Sequence, residues 1–226
     1  MVVVLDENKC VEIIDFEKKR KTHLDLNAYE IASEYHHLFE PNPKDLFPDV
    51  EGWLTTKEGL FLYELSKKVG SGCIVEIGSW FGKSTCWIAQ GLKENNKKNN
   101  FYAIDPHIGS NEHKKFVKKV GGTTNEIFLH NLCGHHLEKY VIPIKKMSWE
   151  AINDIKEPIA FLFIDGSHEY EDVKKDFEQW FSKVKIGGII AFHDNNWVGV
   201  KKVLDEIDRN DYSEMGIIET ITWIKK

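Results

Sequence analysis

Residues 73–85 read CIVEIGSWFGKST, and this stretch decides the fold class. Its first part is a short apolar run ending at Gly78, which is typical of a buried strand. Gly78 permits a tight turn and lets a ligand approach bare backbone, because glycine has no side chain. Gly82 then begins a helix, so Gly82, Lys83 and Ser84 present free N–H groups. The stretch therefore predicts a strand, a turn with room for a ligand, and a helix.

Apolar runs that predict further strands follow along the chain. They lie at 101–105, 141–145, 159–165, 187–194 and 217–225, the last one closing the sheet. The run at 159–165, IAFLFID, is continuously apolar, which indicates burial on both faces.

Helices are predicted between these strands. Before the glycine turn, Thr55-x-x-Glu58 has the spacing of a capping box and begins a helix that Gly70 and Gly72 end. After 159–165, helical steps of 4, 4 and 3 join Val173, Phe177, Phe181 and Val184. The other predicted helices lie at 83–92, within 111–139, and at 148–155 and 198–208.

This alternation predicts an α/β fold with a doubly wound, mainly parallel seven-stranded sheet. We expect one domain over residues 51–226. Residues 1–50 are polar and irregular, with a proline-marked loop over 40–51, and are interpreted as an N-terminal helical extension with a helix near 26–39.

Three classes of ligand are compared with the glycine turn. A dinucleotide requires G-x-G-x-x-G, but Ser79-Trp80-Phe81 replaces the middle glycine. A nucleoside triphosphate requires four residues between the two glycines of a P-loop, and here there are three. S-adenosylmethionine has no phosphate, and Glu76 suits its cationic groups. A purely structural turn is the fourth interpretation. Asp105, 27 residues after Gly78, lies where such folds place an acid that binds ribose hydroxyls.

Net charge and cysteine pattern limit the classes of binding partner and the cellular compartment that we expect for this protein. The formal net charge of -6 disfavours nucleic acid and anionic membranes as partners. The four cysteines form no C-x2-C pair, which argues against a zinc knuckle and fits a reducing compartment. No signal peptide or membrane span is evident, so a cytoplasmic location is expected.

Several motifs in order resemble the class I S-adenosylmethionine-dependent methyltransferases. The most similar subgroup is that of small bacterial O-methyltransferases with a D-G-x-H segment and an H-D pair, related to catechol-type enzymes. The resemblance covers roughly residues 50–226. It is carried by GWLTTKEG (52–59), VEIGSWFGKST (75–85), YAIDPH (102–107), KKMSWE (145–150), FLFIDGSHEYEDVKKDFEQW (161–180) and GGIIAFHDN (187–195).

The resemblance implies a Rossmann-like methyltransferase fold and a site for S-adenosylmethionine. The loop Glu76–Gly82 would hold the methionine part, Asp105 the ribose, and Met147 with Ser148 would border the adenine. The implied cofactor-binding residues are Glu76, Gly78, Ser79, Gly82, Ser84, Asp105, Met147, Ser148 and Asp165.

The resemblance also implies how a hydroxyl is methylated. Asp165, Asp194 and Asn195 resemble the divalent-metal ligands of catechol-type enzymes and would hold Mg²⁺ or another divalent cation. His168 falls where those enzymes place a lysine base. If no metal is required, His168 or His193 would act alone as the base, with an adjacent aspartate orienting it. The predicted catalytic residues are therefore His168, Asp165 and His193.

The acceptor is expected to be a small molecule with a hydroxyl group, such as a sugar, polyketide or catechol-like compound. Trp53, Trp80 and Trp197 are candidates to line its pocket. A homodimer is the assembly that the resemblance implies. Two rival functions stay open: a P-loop-like NTPase or kinase that depends on Lys83, and a non-catalytic binding module on the same fold.

Overall fold

A computed structural model describes residues 44–96, 98–119 and 121–226, together with the backbone of three short strands that precede them. The strands are β1 (Val2–Leu5), β2 (Val11–Asp15), β3 (Arg20–Thr22), β4 (Cys73–Ile77), β5 (Phe101–Ile104), β6 (Ile142–Ile144), β7 (Ile159–Ile164), β8 (Val184–Phe192), β9 (Glu214–Ile218) and β10 (Ile221–Lys225). The helices are α1 (Thr56–Lys68), α2 (Lys83–Glu94), α3 (Lys114–Lys119), α4 (Asn125–Gly134), α5 (Ser148–Ala151), α6 (Tyr170–Phe181) and α7 (Val198–Glu206), with 3₁₀ turns at Glu138–Tyr140 and Arg209–Asp211.

Strands β4 to β10 form the predicted seven-stranded sheet, in the order β6-β5-β4-β7-β8-β10-β9. β10 runs antiparallel to both of its neighbours, and the strands from β6 to β8 pair in parallel. Successive strands leave β4 in one direction and β7 in the other. The carboxyl ends of β4 and β7 therefore flank the topological switch point, where folds of this kind bind ligands. The doubly wound fold predicted from the sequence is confirmed.

The N-terminal extension contributes strands to this sheet. β1 pairs in parallel with β9, and β2 and β3 continue the sheet beyond β1 in antiparallel pairs. The sequence pattern had not indicated these strands. The helix predicted near 26–39 lies outside the described residues.

The two faces of the sheet carry separate apolar cores. Along β7, Phe161 and Phe163 pack with α1, α2 and α4, whereas Leu162 and Ile164 pack with α6 and α7. Alternate side chains of a strand point to opposite faces, so a strand covered on both sides must be apolar throughout. The prediction of a doubly buried strand from IAFLFID is confirmed.

Two local predictions change. Val184, assigned to the helical repeat, begins β8 opposite Ile159, because α6 ends at Phe181 and the chain turns. The C-terminal run forms a hairpin, β9 and β10, whose turn places Glu219 at a φ of 52°.

The helices predicted within 111–139 are confirmed as α3 and α4. Residues 106–124 form an excursion between β5 and α4 that contains the short helix α3. Within the described part of the chain, no helix combines the length and apolar character that a bilayer span requires.

Candidate active site

A cavity of about 580 Å³ lies beyond the carboxyl ends of β4, β5, β7 and β8. It is walled by the glycine turn, by the excursion after β5, and by the segments that follow β6, β7 and β8. Most of the residues predicted to bind a cofactor line it, namely Gly78, Ser79, Ser84, Asp105, Met147, Ser148 and Asp165.

The glycine turn is shaped by contact with the neighbouring strand. Gly78 has a φ of 88°, and a Cβ atom there would lie 2.1 Å from the backbone oxygen of Asp165. Since any side chain would collide with main chain, only glycine fits. The turn between β4 and α2 is therefore pressed directly against the end of β7, and the two share one rim of the cavity.

Glu76 supports this turn from inside the protein. Its carboxylate is fully buried and accepts hydrogen bonds from Ser79 Oγ (2.7 Å), Ser84 Oγ (2.7 Å) and Thr85 Oγ1 (2.5 Å). Burial raises the pKa of Glu76 to about 7. Neither Glu76 nor Gly82 is among the described residues that line the cavity. In this structure Glu76 organises the loop, so direct contact of Glu76 with a cofactor stays a prediction.

Asp105 ties the same turn to β5. Its Oδ2 accepts from the backbone N–H groups of Ser79 (2.9 Å) and Trp80 (2.8 Å), and its Oδ1 accepts from the N–H of His107 (2.6 Å). A carboxylate has about four acceptor positions, so three are used and one is left for a ribose hydroxyl. His107 in turn bonds Thr124 Oγ1 at 2.8 Å in a buried contact that closes the base of the excursion.

The wall expected to border adenine contains a buried acid that the sequence analysis missed. Ser148 Oγ donates a short hydrogen bond to Asp176, which α6 contributes. Burial raises the pKa of Asp176 to about 6. Trp149 stands beside them at the cavity, 39% exposed, with the ammonium of Lys175 over its ring.

The ammonium group of Lys83 contacts the segment before α1. Its Nζ contacts Asp45 Oδ2 at 3.0 Å and the carbonyl of Phe47 at 3.2 Å. The lysine thereby anchors the segment before α1 to α2. The P-loop interpretation requires this ammonium to face a phosphate, and its position argues against that function.

Three predicted site residues meet where β7 and β8 end. His193 Nδ1 lies 3.0 Å from Asp165 Oδ1 and 3.1 Å from Asp194 Oδ2. The candidate ligand atoms of these residues all lie within 4.8 Å of one another. Burial opposes the imidazolium of His193, but the carboxylates of Asp165, Asp194 and Glu58 outweigh burial and raise its pKa. Burial also raises the pKa of Asp165, whereas the two histidines outweigh burial at Asp194 and lower its pKa.

His168 is oriented by acids on both sides. Its Nε2 lies 2.9 Å from Asp194 Oδ2, and its Nδ1 lies 3.3 Å from Glu112 Oε2. The ring stacks on Trp197 with 4.3 Å between centroids. The hydrogen bond to Asp194 is the main cause of its raised pKa. Glu112 belongs to the excursion after β5, and no motif in the sequence pointed to it.

The side-chain amide of Asn195 points towards β10. Its Nδ2 donates to Thr222 Oγ1 (3.1 Å) and to the carbonyl of Glu219 (3.4 Å), which belong to β10 and the preceding turn. Asn195 is not among the described residues that line the cavity. The structure thus gathers two of the three predicted metal ligands and places His193 beside them.

Aromatic rings border the cavity where the excursion meets the segment before α1. Trp53 is 63% exposed and packs on Trp80 and His113, with centroid separations of 5.7 and 4.8 Å. Phe116 of α3 packs on Trp80 at 5.9 Å. All three tryptophans expected near the cleft, Trp53, Trp80 and Trp197, line the cavity.

Comparison with known proteins gives a consistent result. Residues 75–195, more than half of the chain, match a family described as "Methyltransferase domain". Caffeoyl-CoA O-methyltransferase of Populus kitakamiensis is 29% identical over 153 residues, which make up 66% of this chain and 59% of that protein. The chain spans less than two thirds of the length of each of four curated relatives.

Solved structures share the fold. The O-methyltransferase NovP superimposes with a TM-score of 0.61 at 14% identity, covering 89% of this chain and 99% of that one. An O-methyltransferase from Bacillus cereus in complex with SAH gives 0.56 at 18% identity, covering 86% and 91%.

Proposed function

The chain belongs to the methyltransferase-domain family, and on that basis we propose that it transfers the methyl group of S-adenosylmethionine to a hydroxyl of a small molecule. One observation carries the proposal. A single cavity brings the glycine turn together with Asp165, His168, His193 and Asp194. A cofactor seated on the turn would thus have its reactive end beside a base and two carboxylates.

The charge of the cavity suits a cationic cofactor. Seven acidic residues line it against two lysines, and one of those, Lys83, is paired with Asp45. A sulfonium and an amine are attracted by such a wall, whereas the phosphates of a nucleotide are repelled. Bare backbone at Gly78 allows close approach, and Asp105 has acceptor capacity left for the ribose. The neighbour from Bacillus cereus with SAH in the same fold supports this assignment.

His168 is the proposed general base. As the acceptor oxygen forms its bond to the methyl carbon, the bond from that carbon to sulfur breaks and the hydroxyl proton passes to the imidazole. His168 must be neutral to accept this proton. In the neutral ring Nε2 donates its hydrogen to Asp194 at 2.9 Å, and Nδ1, 3.3 Å from Glu112, is the nitrogen that receives the proton. A positioned base contributes about 10²–10⁴-fold to the rate.

The carboxylates of Asp165 and Asp194 are suited to hold a divalent cation. A cation bound there would lower the pKa of the acceptor hydroxyl and help to orient it. The residues of the chain do the rest: they exclude water, place the acceptor and receive the proton.

The acceptor is proposed to be ring-bearing, in the range of sugars, polyketides and catechol-like compounds. Trp53 and Trp197 present exposed indole surface at the cavity, and indoles bind flat apolar ring faces well. The names of NovP and of the Populus enzyme show only that O-methylation occurs on this fold and in a relative.

Calorimetric titration with S-adenosylhomocysteine tests the proposal. We expect micromolar binding that Asp105→Ala weakens at least about tenfold, which corresponds to about 1.4 kcal/mol. Asp205→Ala, an exposed acid on α7 paired with Lys201, is the matched control and should bind normally. Absence of binding, together with ATP binding that Lys83→Ala abolishes, would establish the P-loop alternative instead. A binding module would retain its partner after His168→Ala.

A further inference from the structure

His193 lies between carboxylates on two opposite sides. The residue directly follows β8 and is 4% exposed. Nδ1 faces Asp165 and Asp194 at 3.0 and 3.1 Å, while Nε2 lies 3.6 Å from Glu58 Oε2. Nε2 is buried, and none of the described residues forms a hydrogen bond with it. In the neutral ring only one of these two nitrogens carries a hydrogen, so the surrounding carboxylates determine which one it is.

Glu58 is a fixed acceptor on the far side of this ring. Its side chain is 1% exposed. Oε1 accepts from Thr220 N (2.8 Å) and Oγ1 (2.6 Å), and Oε2 accepts from Thr55 N (2.9 Å) and Oγ1 (3.0 Å). A carboxylate that accepts four hydrogen bonds has no proton to donate, so the ring nitrogen facing it carries the hydrogen. Nδ1 is then the nitrogen with the free lone pair in the neutral ring.

We infer that Nδ1 of His193 joins Asp165 and Asp194 as the third protein ligand of a divalent-cation site, and that Glu58 is the residue that orients this ligand. The inference deepens the proposed function and rests on it for the part the cation takes in methyl transfer. Two ligands at right angles, each about 2.1 Å from an ion, lie about 3 Å apart. The separations of 3.0 and 3.1 Å from Nδ1 to the two aspartates match this value.

Glu58 takes the part that carboxylates commonly take behind metal-binding histidines. Such a partner faces the second N–H of the ring and fixes its tautomer. Here the charge of the Glu58 carboxylate, 3.6 Å from Nε2, favours the tautomer with its hydrogen on that nitrogen. Nδ1 binds a cation only in its deprotonated form, so binding releases a proton if the ring is charged. Asn195, the third ligand implied by the family resemblance, donates Nδ2 to Thr222 and Glu219 and is not among the described residues that line the cavity.

The ligand set determines which cation is favoured. Mg²⁺ prefers an all-oxygen shell, whereas an imidazole nitrogen favours first-row transition cations. A site with two carboxylates and one imidazole should therefore bind Mn²⁺ at least about tenfold more tightly than Mg²⁺.

Electron paramagnetic resonance with Mn²⁺ on the full chain tests the inference without reference to activity. The free Mn²⁺ signal gives the dissociation constant, and electron spin echo modulation detects ¹⁴N of a coordinated imidazole. We expect nitrogen coupling in the wild type and in His168→Gln, and its loss in His193→Gln. Glu58→Gln should keep the coupling and weaken Mn²⁺ binding about 10–100-fold.

Two variants separate this role from a purely structural one. Asn195→Ala should leave the Mn²⁺ dissociation constant unchanged. Thr220→Val removes the hydrogen bond from the Thr220 hydroxyl to Glu58 but keeps the backbone bond and the carboxylate, so it should lower the unfolding temperature and change Mn²⁺ binding far less than Glu58→Gln.

Three results would overturn the inference: no nitrogen coupling in the wild type, coupling lost in His168→Gln alone, or Asn195→Ala weakening Mn²⁺ as much as Glu58→Gln. If His193→Gln does not fold, the nitrogen coupling measured in the wild type and in His168→Gln still tests the inference. Absence of Mn²⁺ binding with normal S-adenosylhomocysteine binding would refute the metal site and leave methyl transfer standing. Normal Mn²⁺ binding without S-adenosylhomocysteine binding would refute the proposed function and leave the metal site standing.

Discussion

The cavity has two halves that are built in different ways. The glycine-turn half is local: Glu76 binds Ser79, Ser84 and Thr85, all within nine residues of it. The histidine half is assembled from distant segments: Glu58 reaches Thr220, 162 residues away, and His193 reaches Asp165 across 28. The side-chain hydrogen bonds of Glu76 join residues of one short segment, and Gly78 and Asp105 tie that segment to β7 and β5. A distant half exists only once α1, β7, β8 and the β9–β10 turn have all packed.

The difference suggests a division of labour. A cofactor common to a family can be held by a short, self-contained loop. Residues that act on the acceptor come from separate strand ends and from the excursion after β5, so each can change without disturbing that loop. Substitutions in the two halves test this difference.

Gly78→Ala should break the local half most severely. The added Cβ meets the main chain of Asp165 at 2.1 Å, and a φ of 88° strains any other residue. We expect a loss of about 3–5 kcal/mol in the free energy of unfolding and loss of S-adenosylhomocysteine binding. Urea unfolding and calorimetry measure both. Gly134→Ala is the control, because its Cβ would meet no described atom within 4 Å. Near-normal stability of Gly78→Ala would contradict the packing described above.

His168→Gln should disable the distant half while the local half keeps working. We expect kcat for methyl transfer to fall about 10²–10⁴-fold, because the proton acceptor is lost. S-adenosylhomocysteine affinity should stay within a few-fold of the wild type. Transfer of labelled methyl to a panel of catechols, phenols and sugars gives the rate. His130→Gln, an exposed histidine on α4, should behave as the wild type. An unchanged rate in His168→Gln would exclude it as the base.

Glu76→Gln should reveal a pH dependence that belongs to the local half. Burial raises the pKa of Glu76 from 4.5 to about 7, so the folded state favours the protonated acid. Its contribution to stability is complete below pH 4.5 and is lost as the pH rises to about 7. The free energy of unfolding of the wild type should therefore fall relative to Glu76→Gln by roughly 2–3 kcal/mol over this window. Parallel curves for the two proteins in urea at pH 5 and pH 8 would refute this.

Thr220→Val should weaken the distant half by the smallest amount. The hydrogen bond from the Thr220 hydroxyl to the buried Glu58 is removed, while the bond from the backbone N–H remains. One such bond is worth about 1 kcal/mol net, and an acceptor left short of a partner adds to the cost, so we expect a loss of about 1–2 kcal/mol. Thermal unfolding measures this loss. Glu219→Ala, which changes the exposed residue just before Thr220, is the comparison. A larger loss than that of Gly78→Ala would reverse the proposed ranking of the two halves.

Much of the local half could be predicted from the sequence. The apolar runs, Gly78, Gly82 and the Thr55 capping box depend on interactions within a few residues, and each has a sequence signature. The resemblance also implied that Asp165 and Asp194 would meet as metal ligands, and the structure brings them together because neighbouring parallel strands end at one edge of the sheet.

The distant half could be predicted only in part. Glu58 was recognised as a capping residue, but nothing local indicated that its carboxylate also reaches Thr220 and His193. Glu112 lies in a polar excursion without a motif, and no pattern in the sequence distinguished Asp176 from the other charged residues of its helix. For Asn195 the resemblance implied a metal ligand, which stays a prediction, and the sequence did not indicate that its Nδ2 would donate to Thr222 on β10.

The order of strands and helices, the glycine turn and the two aspartates at the strand ends were determined by the sequence, because periodicity and turn chemistry are short-range. The tertiary structure decided which acids face each nitrogen of His193, which groups the Lys83 ammonium contacts, and which residues of the excursion reach the cavity. These depend on how segments up to 162 residues apart pack together. No local pattern encodes the direction of a buried side chain.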